Sequence, residues 1–364
     1  MTKPYLPPLS EVMPLLEQIW ETGVLSNNGP MHERLEHELG EFLKLPHVSL
    51  FCNATTALIT AQQALGLHGE IITTPYSFSA TSHAILWMQN TPVFVDINAE
   101  SMCIDPMQIE EAITDQTVAI MPLHCYGNTC DTSAIEAIAS KYDLKVIYDA
   151  CHSFGVEDDC GSVLRHGDIS VVSFHATKVF NTFEGGLLVS PDEATKQKVD
   201  RLKNFGFVDE ITVTDSGLNG KMSEFNAAVG LVQMRHLSKA VSKRQACDAL
   251  YRDLLGEVPD IVCVEPVQQS VRNYSYFPVL VSASSRLSRD ELYALLRSEE
   301  IYGRRYFYPL ISDFPMYKDY PSADPENLPV ARSISSQVIC LPLYPDLPAA
   351  EVERICSIIS AGLS

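Results

Sequence analysis

An aspartate, a histidine and a lysine at the ends of apolar segments are the residues of this sequence that could do chemistry together. Asp149 closes the apolar run 146–148 and is followed by His152, and Lys178 follows the run 169–174. A buried carboxylate needs a partner, and a cationic ring nitrogen would be one. A lysine with apolar neighbours can have a lowered pKa and act as an amine nucleophile. Taken alone, Asp149 could simply cap the next segment and Lys178 could be solvated.

A small polar turn earlier in the chain could bind a phosphate. Ala54 and Thr55 lie in the segment 53–56, which follows an apolar run and opens a helical pattern. Free N–H groups at a helix N-terminus bind phosphate, although the same residues would also suit an ordinary helix cap. Phe78 follows the next apolar run and could lie flat on a planar ligand, although a core position suits a lone phenylalanine better.

Together these motifs describe one ligand. It would be planar and phosphorylated, with a basic ring nitrogen for Asp149 and an aldehyde for Lys178. Pyridoxal 5′-phosphate has all of these features. The dinucleotide fingerprint GxGxxG and the phosphate loop GxxxxGK[ST] are absent from the sequence, which disfavours a nicotinamide or ATP site built on those loops.

The elements that would position these residues alternate between strands and helices. Seven strands are predicted, at 47–52, 70–75, 91–97, 117–126, 144–150, 169–175 and 185–190. Helices are predicted between them, at 32–43, 55–65, 78–89 and 131–142. This alternation predicts an α/β fold with a mostly parallel seven-stranded sheet, in which ligands bind outside the carboxyl ends of the strands.

The last third of the chain has a different pattern. A long helical stretch leads into it, and its own elements are two strands, a helix that opens with a capping box, and a final helix. The predicted ranges are 222–255 for the long helix, 274–281 and 304–308 for the strands, 288–291 for the capping box and 349–359 for the final helix. We therefore expect a large cofactor domain, residues 1–245, and a small C-terminal α+β domain, residues 246–364.

Composition and charge favour a globular protein and disfavour binding to nucleic acid or to a membrane surface. The chain has 364 residues, 46% of them hydrophobic, so it can bury a large core, and its net charge is −20. That charge disfavours diffuse binding to nucleic acid or to anionic lipid, since both need a basic face. The sequence has neither an apolar stretch long enough to span a membrane nor a secretion signal, so we expect a cytoplasmic protein.

The ten cysteines are the one unusual feature of the composition. They lack the spacing of a zinc site, and a disulfide framework does not suit a chain of this length without an export signal. We expect buried free thiols and no metal site.

Short segments spread over nearly the whole chain are shared with a known family. The most specific is Ser173-Phe-His-Ala-Thr-Lys178 followed by Glu184-Gly185-Gly186. The others are 23–30, 53–58, 75–81, 122–127, 149–152, 167–168 and 217–228. With these segments the sequence resembles the nucleotide-sugar aminotransferases of the DegT/StrS type, which are fold-type I pyridoxal-phosphate enzymes.

The resemblance implies a role for each residue that could face the cofactor ring. Lys178 would bind pyridoxal phosphate covalently and move the proton in the reaction. Asp149 would pair with the ring nitrogen and His152 would contact the phenolic oxygen. Phe78 would stack on the ring.

The resemblance also implies which residues bind the cofactor phosphate and the substrate. Those proposed for the phosphate within one chain are Ala54, Thr55 and Ser173. Asn219 would reach the phosphate in the neighbouring subunit, so that a homodimer would be the catalytic unit. Those proposed for the sugar nucleotide are Arg304, Arg305 and Tyr306, although two of these could be ordinary surface arginines on a strand.

The resemblance implies transfer of an amino group from L-glutamate to a 4-keto-6-deoxy nucleotide sugar, for surface polysaccharide or O-antigen synthesis. The block SFH before Lys178 and EGG after it favour amination at C4 and a dTDP-linked sugar. Amination at C3, or of a UDP- or GDP-linked sugar, is the nearest alternative. A sugar dehydratase or a regulator with this fold is more remote, because relatives that act as dehydratases have His in place of the lysine. A plain α/β binding protein with a buried lysine is the third class.

Overall fold

All seven predicted strands form one sheet in the computed structural model, which describes residues 3–267 and 270–363. The strands are β1 (Val48–Phe51), β2 (Glu70–Thr73), β3 (Thr91–Phe94), β4 (Thr117–Ile120), β5 (Lys145–Asp149), β6 (Ile169–Ser173) and β7 (Gly186–Val189). Their order is β1-β7-β6-β5-β4-β2-β3. Every pair from β3 to β6 is parallel, and only β7 runs antiparallel to its neighbours β6 and β1. The mostly parallel α/β sheet is therefore confirmed.

Helices surround this sheet and continue into the C-terminal part. They are α1 (Leu9–Thr22), α2 (Pro30–Leu43), α3 (Ala54–Leu65), α4 (Ser79–Trp87), α5 (Pro106–Ile109), α6 (Thr132–Tyr142), α7 (Glu193–Leu202), α8 (Glu224–Leu255), α9 (Arg289–Ser298), α10 (Pro329–Gln337) and α11 (Ala349–Leu363). The helices α2, α3, α4 and α6 occupy the intervals predicted for them. The sequence reading did not identify α1, α5, α7 and α10.

The C-terminal part contains a second, antiparallel sheet of three strands. They are β8 (Ile261–Cys263), β9 (Phe277–Val281) and β10 (Val338–Leu341), with β9 in the middle. The helix α9 starts with the predicted capping box, since the Ser288 side chain and the N3 residue Glu291 satisfy each other's backbone N–H groups. A small ribbon, Glu157–Asp158 with Gly161–Ser162, lies apart from both sheets.

The strand predicted at 304–308 is wrong. Only Arg304 makes a bridge, to Cys340 on β10, and the chain then turns, with the Tyr308 N–H donating to the Arg305 carbonyl at 2.8 Å. Phe307 is instead buried against Tyr76, with ring centroids 5.5 Å apart. The apolar pattern of this segment therefore reflects packing of aromatic rings rather than a sheet.

The division at residue 245 stays a prediction. The helix α8 runs through it without interruption, and its C-terminal half shares a buried core with the second sheet, α9 and α11. Another buried core joins residues of both parts, with Ile72 and Tyr126 on one side and Phe307 and Cys340 on the other. Among the described residues, no helix is long and apolar enough to cross a membrane.

Candidate active site

A cavity of about 300 Å³ lies where the loops after β1, β2, β5 and β6 meet. Nine of the eleven candidate residues line it: Ala54, Thr55, Phe78, Asp149, His152, Ser173, Lys178, Arg304 and Tyr306. The edge of the sheet that the parallel topology predicts is therefore where the structure brings them together. Asn219 and Arg305 are not among the lining residues.

The N-terminus of α3 forms one end of the cavity. Asn53 caps this helix by accepting a hydrogen bond of 2.9 Å from the Thr56 N–H. The first-turn N–H groups of Ala54 and Thr55 have no partner within a helix and are suited to an anion. A Cβ atom on Gly186 would come within 2.9 Å of the Ala54 nitrogen, so the second glycine of the EGG block allows β7 to pass this turn.

Asp149 is buried at the end of β5 and is held in place by two neutral donors. Oδ2 accepts from the Thr81 hydroxyl at 2.7 Å, and Oδ1 accepts from the Cys151 N–H at 3.1 Å. The side chain is only 3% exposed. A carboxylate buried in this way is stabilised by any cation that enters the cavity, and a protonated ring nitrogen is such a cation.

His152 has a neutral imidazole ring, and the position of its single ring proton follows from its hydrogen bond. Burial, followed by the charge of Lys178, holds its pKa well below the usual value. Its Nδ1 accepts a hydrogen bond of 3.1 Å from the Tyr126 N–H, so we assign the ring proton to Nε2. His152 is therefore a hydrogen-bond donor towards a ligand oxygen.

Lys178 donates a hydrogen bond of 3.4 Å from Nζ to the hydroxyl of Tyr276. Burial by itself lowers the pKa of Lys178, but Tyr276, Cys151 and Asp149 together outweigh it, so the pKa is raised. The expectation that apolar neighbours lower this pKa is therefore wrong for the arrangement of these protein groups. The polar groups that reverse it come from other parts of the fold.

Phe78 and Ser173 are the remaining candidates for binding the cofactor. Phe78 precedes α4 and is 55% exposed beside the cavity, so it is available for stacking and is not a core residue. Ser173 ends β6, and its Oγ accepts from the His175 N–H at 3.3 Å.

Arg304 and Arg305 point in different directions although they are neighbours. Arg304 lines the cavity and its guanidinium bonds to the Tyr306 hydroxyl. Arg305 instead donates to Asp290 at 2.8 Å and packs on Tyr293 at 4.6 Å. The structure therefore does not bring Arg305 to the cavity, because α9 supplies it with a carboxylate and an aromatic ring.

Asn219 lies on the segment between α7 and α8. Its Oδ1 accepts a hydrogen bond of 2.8 Å from Lys221 Nζ, and its backbone bridges to Asn204. It does not line the cavity of its own chain. Its proposed role in a neighbouring subunit stays a proposal.

Sequence reasoning assigned no role to Thr81, Cys151 and Tyr276, which contact the candidates directly. Thr81 and Cys151 lie within segments already singled out, and the need of a buried carboxylate for donors could have identified Thr81. Tyr276 is 98 residues away from Lys178 along the chain, so no spacing pattern indicates it.

Comparisons with known proteins identify the family of this chain. Residues 10–360 match the model of the DegT/DnrJ/EryC1/StrS aminotransferase family. This chain belongs to that family. A "dTDP-4-amino-4,6-dideoxy-D-glucose transaminase" of Shigella dysenteriae is 54% identical over 360 residues, which cover 99% of this chain and 97% of the relative. A transaminase of the same name from Escherichia coli is 52% identical, with the same coverage.

Solved structures of aminotransferases share the fold. DesI, determined with its TDP-sugar product, superposes with a TM-score of 0.94 at 29% identity, covering 99% of this chain and 91% of DesI. NtdA of Bacillus subtilis, determined with bound pyridoxamine phosphate, superposes with a TM-score of 0.90 at 30% identity, covering 98% of this chain and 83% of NtdA. The fold-type I aminotransferase architecture is therefore confirmed.

The residues present fit pyridoxal 5′-phosphate, which is the cofactor of this aminotransferase. The N-terminal turn of α3 suits the phosphate, and Asp149 and His152 suit the ring nitrogen and the phenolic oxygen. Lys178 would supply the amine that bonds to the cofactor. When bound, the cofactor supplies an electron sink that makes the exchange of an amino group with a carbonyl feasible.

Proposed function

We propose that this chain transfers the amino group of L-glutamate to C4 of dTDP-4-keto-6-deoxy-D-glucose. The products would be dTDP-4-amino-4,6-dideoxy-D-glucose and 2-oxoglutarate, so the amino group and the carbonyl oxygen change places. The observation that carries the proposal is the identity of 54% and 52%, over 99% of this chain, to two transaminases named for that amino sugar.

The walls of the cavity support a nucleotide-sugar substrate. Arg304 is a charged group on the wall that the C-terminal part contributes, and a guanidinium can bind a diphosphate with two parallel hydrogen bonds. Tyr306 lies beside it and can donate to a sugar hydroxyl. His175 and Glu184, from the SFH and EGG blocks, line the same cavity.

Asp149, His152 and Lys178 have different roles in the proposed reaction. Asp149 keeps the ring nitrogen protonated, because a buried carboxylate favours a cation next to it. His152 donates from Nε2 and orients the ring. Lys178 holds the cofactor in the resting enzyme and, when released, accepts and returns a proton at Nζ.

We also propose that the enzyme works as a homodimer in which Asn219 reaches the phosphate site of the neighbouring subunit. The segment that carries Asn219 exposes a run of apolar side chains: Phe205, Phe207, Val208, Ile211 and Val213. Ile211 is 92% exposed, and apolar groups displayed together in this way mark an interaction surface. A second copy of the chain would cover them.

The remaining parts of the proposal rest on family resemblance. We place the enzyme in the cytoplasm, where nucleotide sugars are made, and assign its product to surface polysaccharide or O-antigen synthesis. The division into residues 1–245 and 246–364 belongs to the same proposal.

Amination at C3 is the second candidate function. One relative, the "3-oxo-glucose-6-phosphate:glutamate aminotransferase" of Bacillus subtilis, is 32% identical over 359 residues that cover 95% of this chain and 79% of the relative. Its name shows that the family includes amination at another carbon. The much higher identity to the two transaminases favours C4.

A panel of substrates tests the proposal. The purified enzyme is incubated with L-glutamate and dTDP-4-keto-6-deoxyglucose, its 3-keto isomer, or the corresponding UDP and GDP sugars. Product formation is followed by chromatography, with the Lys178→Ala variant as the control without catalysis. Preference for the dTDP-linked 4-keto sugar is the expected result, and preference for a 3-keto sugar would replace it with the second candidate.

A further inference from the structure

Tyr276 contacts the reactive lysine from the C-terminal part of the chain. Its hydroxyl accepts the 3.4 Å hydrogen bond from Lys178 Nζ, which also lies 5.8 Å from the centre of the tyrosine ring. Tyr276 precedes β9, whereas Lys178 lies on the loop after β6. The contact therefore joins the segment before β9 to the loop after β6 at Lys178 Nζ, the atom proposed to react.

Aromatic neighbours hold the ring of Tyr276 in one place. Its centroid lies 4.7 Å from that of His152, 5.8 Å from that of Tyr126 and 6.0 Å from that of Tyr306. A ring packed on several sides keeps its rotamer, so the position of the hydroxyl is well determined.

The backbone that carries Tyr276 is held as well. Arg244 donates from Nη1 to the carbonyls of Tyr274 and Ser275 at 3.3 and 3.4 Å. Ser275 Oγ and Asn273 Nδ2 both donate to the carbonyl of His152, at 2.7 and 2.8 Å. Tyr276 and the His152 turn are thus parts of one rigid unit that faces Lys178.

We propose that Tyr276 is a positioning residue for Lys178. Its hydroxyl accepts a hydrogen bond from the free lysine amine and holds Nζ beside Asp149, Cys151 and His152. Lys178 Nζ would accept the proton that leaves the α-carbon of the amino donor and pass it to the cofactor carbon that carries the amino group, so the amine would be free again afterwards. The inference rests on the aminotransferase function proposed for this site, but not on the identity of the sugar.

Several charged or titratable groups face Lys178 besides Tyr276. Burial lowers the pKa of the lysine, whereas Tyr276, Cys151 and Asp149 raise it, and Tyr276 is the largest of the three. Neutral His152 lies on the same side, and the rest of the cavity wall contributes His175, Glu184 and Arg304. Removing the Tyr276 hydroxyl should therefore lower the pKa of the free lysine.

The test compares Tyr276→Phe with Tyr274→Phe. The first change keeps the ring and removes the hydroxyl that bonds to Lys178. The second removes a hydroxyl from the same segment, on a ring that packs on Arg272 at 4.7 Å and is not among the residues that line the cavity. Each enzyme is loaded with pyridoxamine phosphate, which leaves Lys178 free, and is labelled with acetic anhydride across a pH range. Acetylation of Lys178 is then quantified by mass spectrometry.

We expect the labelling curve of Y276F to move to lower pH by about one unit, while Y274F follows the wild type. In steady-state assays kcat of Y276F should fall about tenfold with little change in KM for glutamate, because the amine is less well placed. Equal labelling curves for Y276F, Y274F and the wild type would overturn the inference. The labelling needs no sugar. If the sugar is assigned wrongly, the steady-state assays would fail, but the labelling curve of Y276F would still differ from that of the wild type.

Discussion

The hydroxyl of Thr81 donates a 2.7 Å hydrogen bond to Oδ2 of Asp149, so the carboxylate proposed to pair with the cofactor ring is held by the helix that follows β2. Thr81 lies on α4, which starts directly after Phe78, the residue proposed to stack on the ring. The two sides of the ring site are therefore built as one unit.

Removal of the Thr81 hydroxyl should weaken the reaction without removing a cofactor contact. In Thr81→Val the carboxylate of Asp149 loses the donor to Oδ2 and would be held less firmly towards the ring nitrogen of the cofactor. We expect kcat to fall about tenfold. Ser82→Ala is the matched control, since Ser82 is buried next to Thr81 and its Oγ has no hydrogen-bond partner among the described residues. Steady-state kinetics in which both variants lose kcat equally would contradict this role.

The two adjacent arginines should differ in their effect on substrate binding. Arg304→Ala removes a charge from the cavity wall, and we expect KM for the sugar nucleotide to rise about tenfold or more. Arg305→Ala breaks a partly exposed ion pair with Asp290, and KM should change by less than about twofold. Initial rates at varied sugar concentration measure both. A larger effect of R305A than of R304A would show that the solution structure presents the other arginine to the substrate.

Mixing two defective variants tests whether Asn219 acts in the neighbouring subunit. Lys178→Ala lacks the reactive amine, and Asn219→Ala should bind the cofactor weakly. In a mixed dimer, one site would have Lys178 from one chain and Asn219 from the other, and would be complete.

Activity of the mixture, after unfolding and refolding together at limiting cofactor, should therefore exceed the sum of the separate activities. Random pairing would restore about a quarter of the wild-type sites. If Asn219 serves its own chain, mixing would restore nothing.

Buried histidines should make the protein less stable at mildly acidic pH. Burial lowers the pKa of His32 and of His124 to about 3 in the folded protein, from about 6.5 in the unfolded chain. Below pH 6.5 the unfolded chain therefore binds protons that the folded protein does not. Each histidine then lowers the free energy of unfolding by about 1.4 kcal/mol per pH unit until its folded pKa is reached.

Urea unfolding at several pH values between 7 and about 5 measures this slope. Both ring nitrogens of His32 lack a hydrogen-bond partner among the described residues, and His32→Leu should reduce the slope by the share of one histidine. His37→Gln is the control, because it removes an exposed histidine from the same helix. A slope that is equal in H32L and the wild type would contradict the effect of burial.

The sequence predicts the sheet, and the clustering of Asp149, His152 and Lys178 at one of its edges, for a physical reason. Strands covered on both faces are nearly continuous in apolar residues, and parallel strands bring their carboxyl ends to one edge. Asp149, His152 and Lys178 could be assigned to a common site because each lies within a few residues of the end of such a run.

The substrate side was harder to predict because its residues are placed by long-range contacts. Arg304 and Arg305 are equivalent in sequence, and only the position of Asp290 on α9 separates them. Tyr276 is 98 residues away from Lys178 along the chain, so only the fold brings the two residues together. The raised pKa of Lys178 could not be predicted from the sequence either, because its causes include groups that are far away along the chain.

The position of the new amine in the product shows directly whether the enzyme aminates C4. The enzyme is incubated with dTDP-4-keto-6-deoxy-D-glucose and ¹⁵N-labelled L-glutamate, and the purified product is examined by NMR. We predict that ¹⁵N is bonded to C4 and that 2-oxoglutarate forms in equal amount. Labelled nitrogen on C3, or failure of this sugar to accept nitrogen while another keto sugar does, would contradict amination of dTDP-4-keto-6-deoxy-D-glucose at C4.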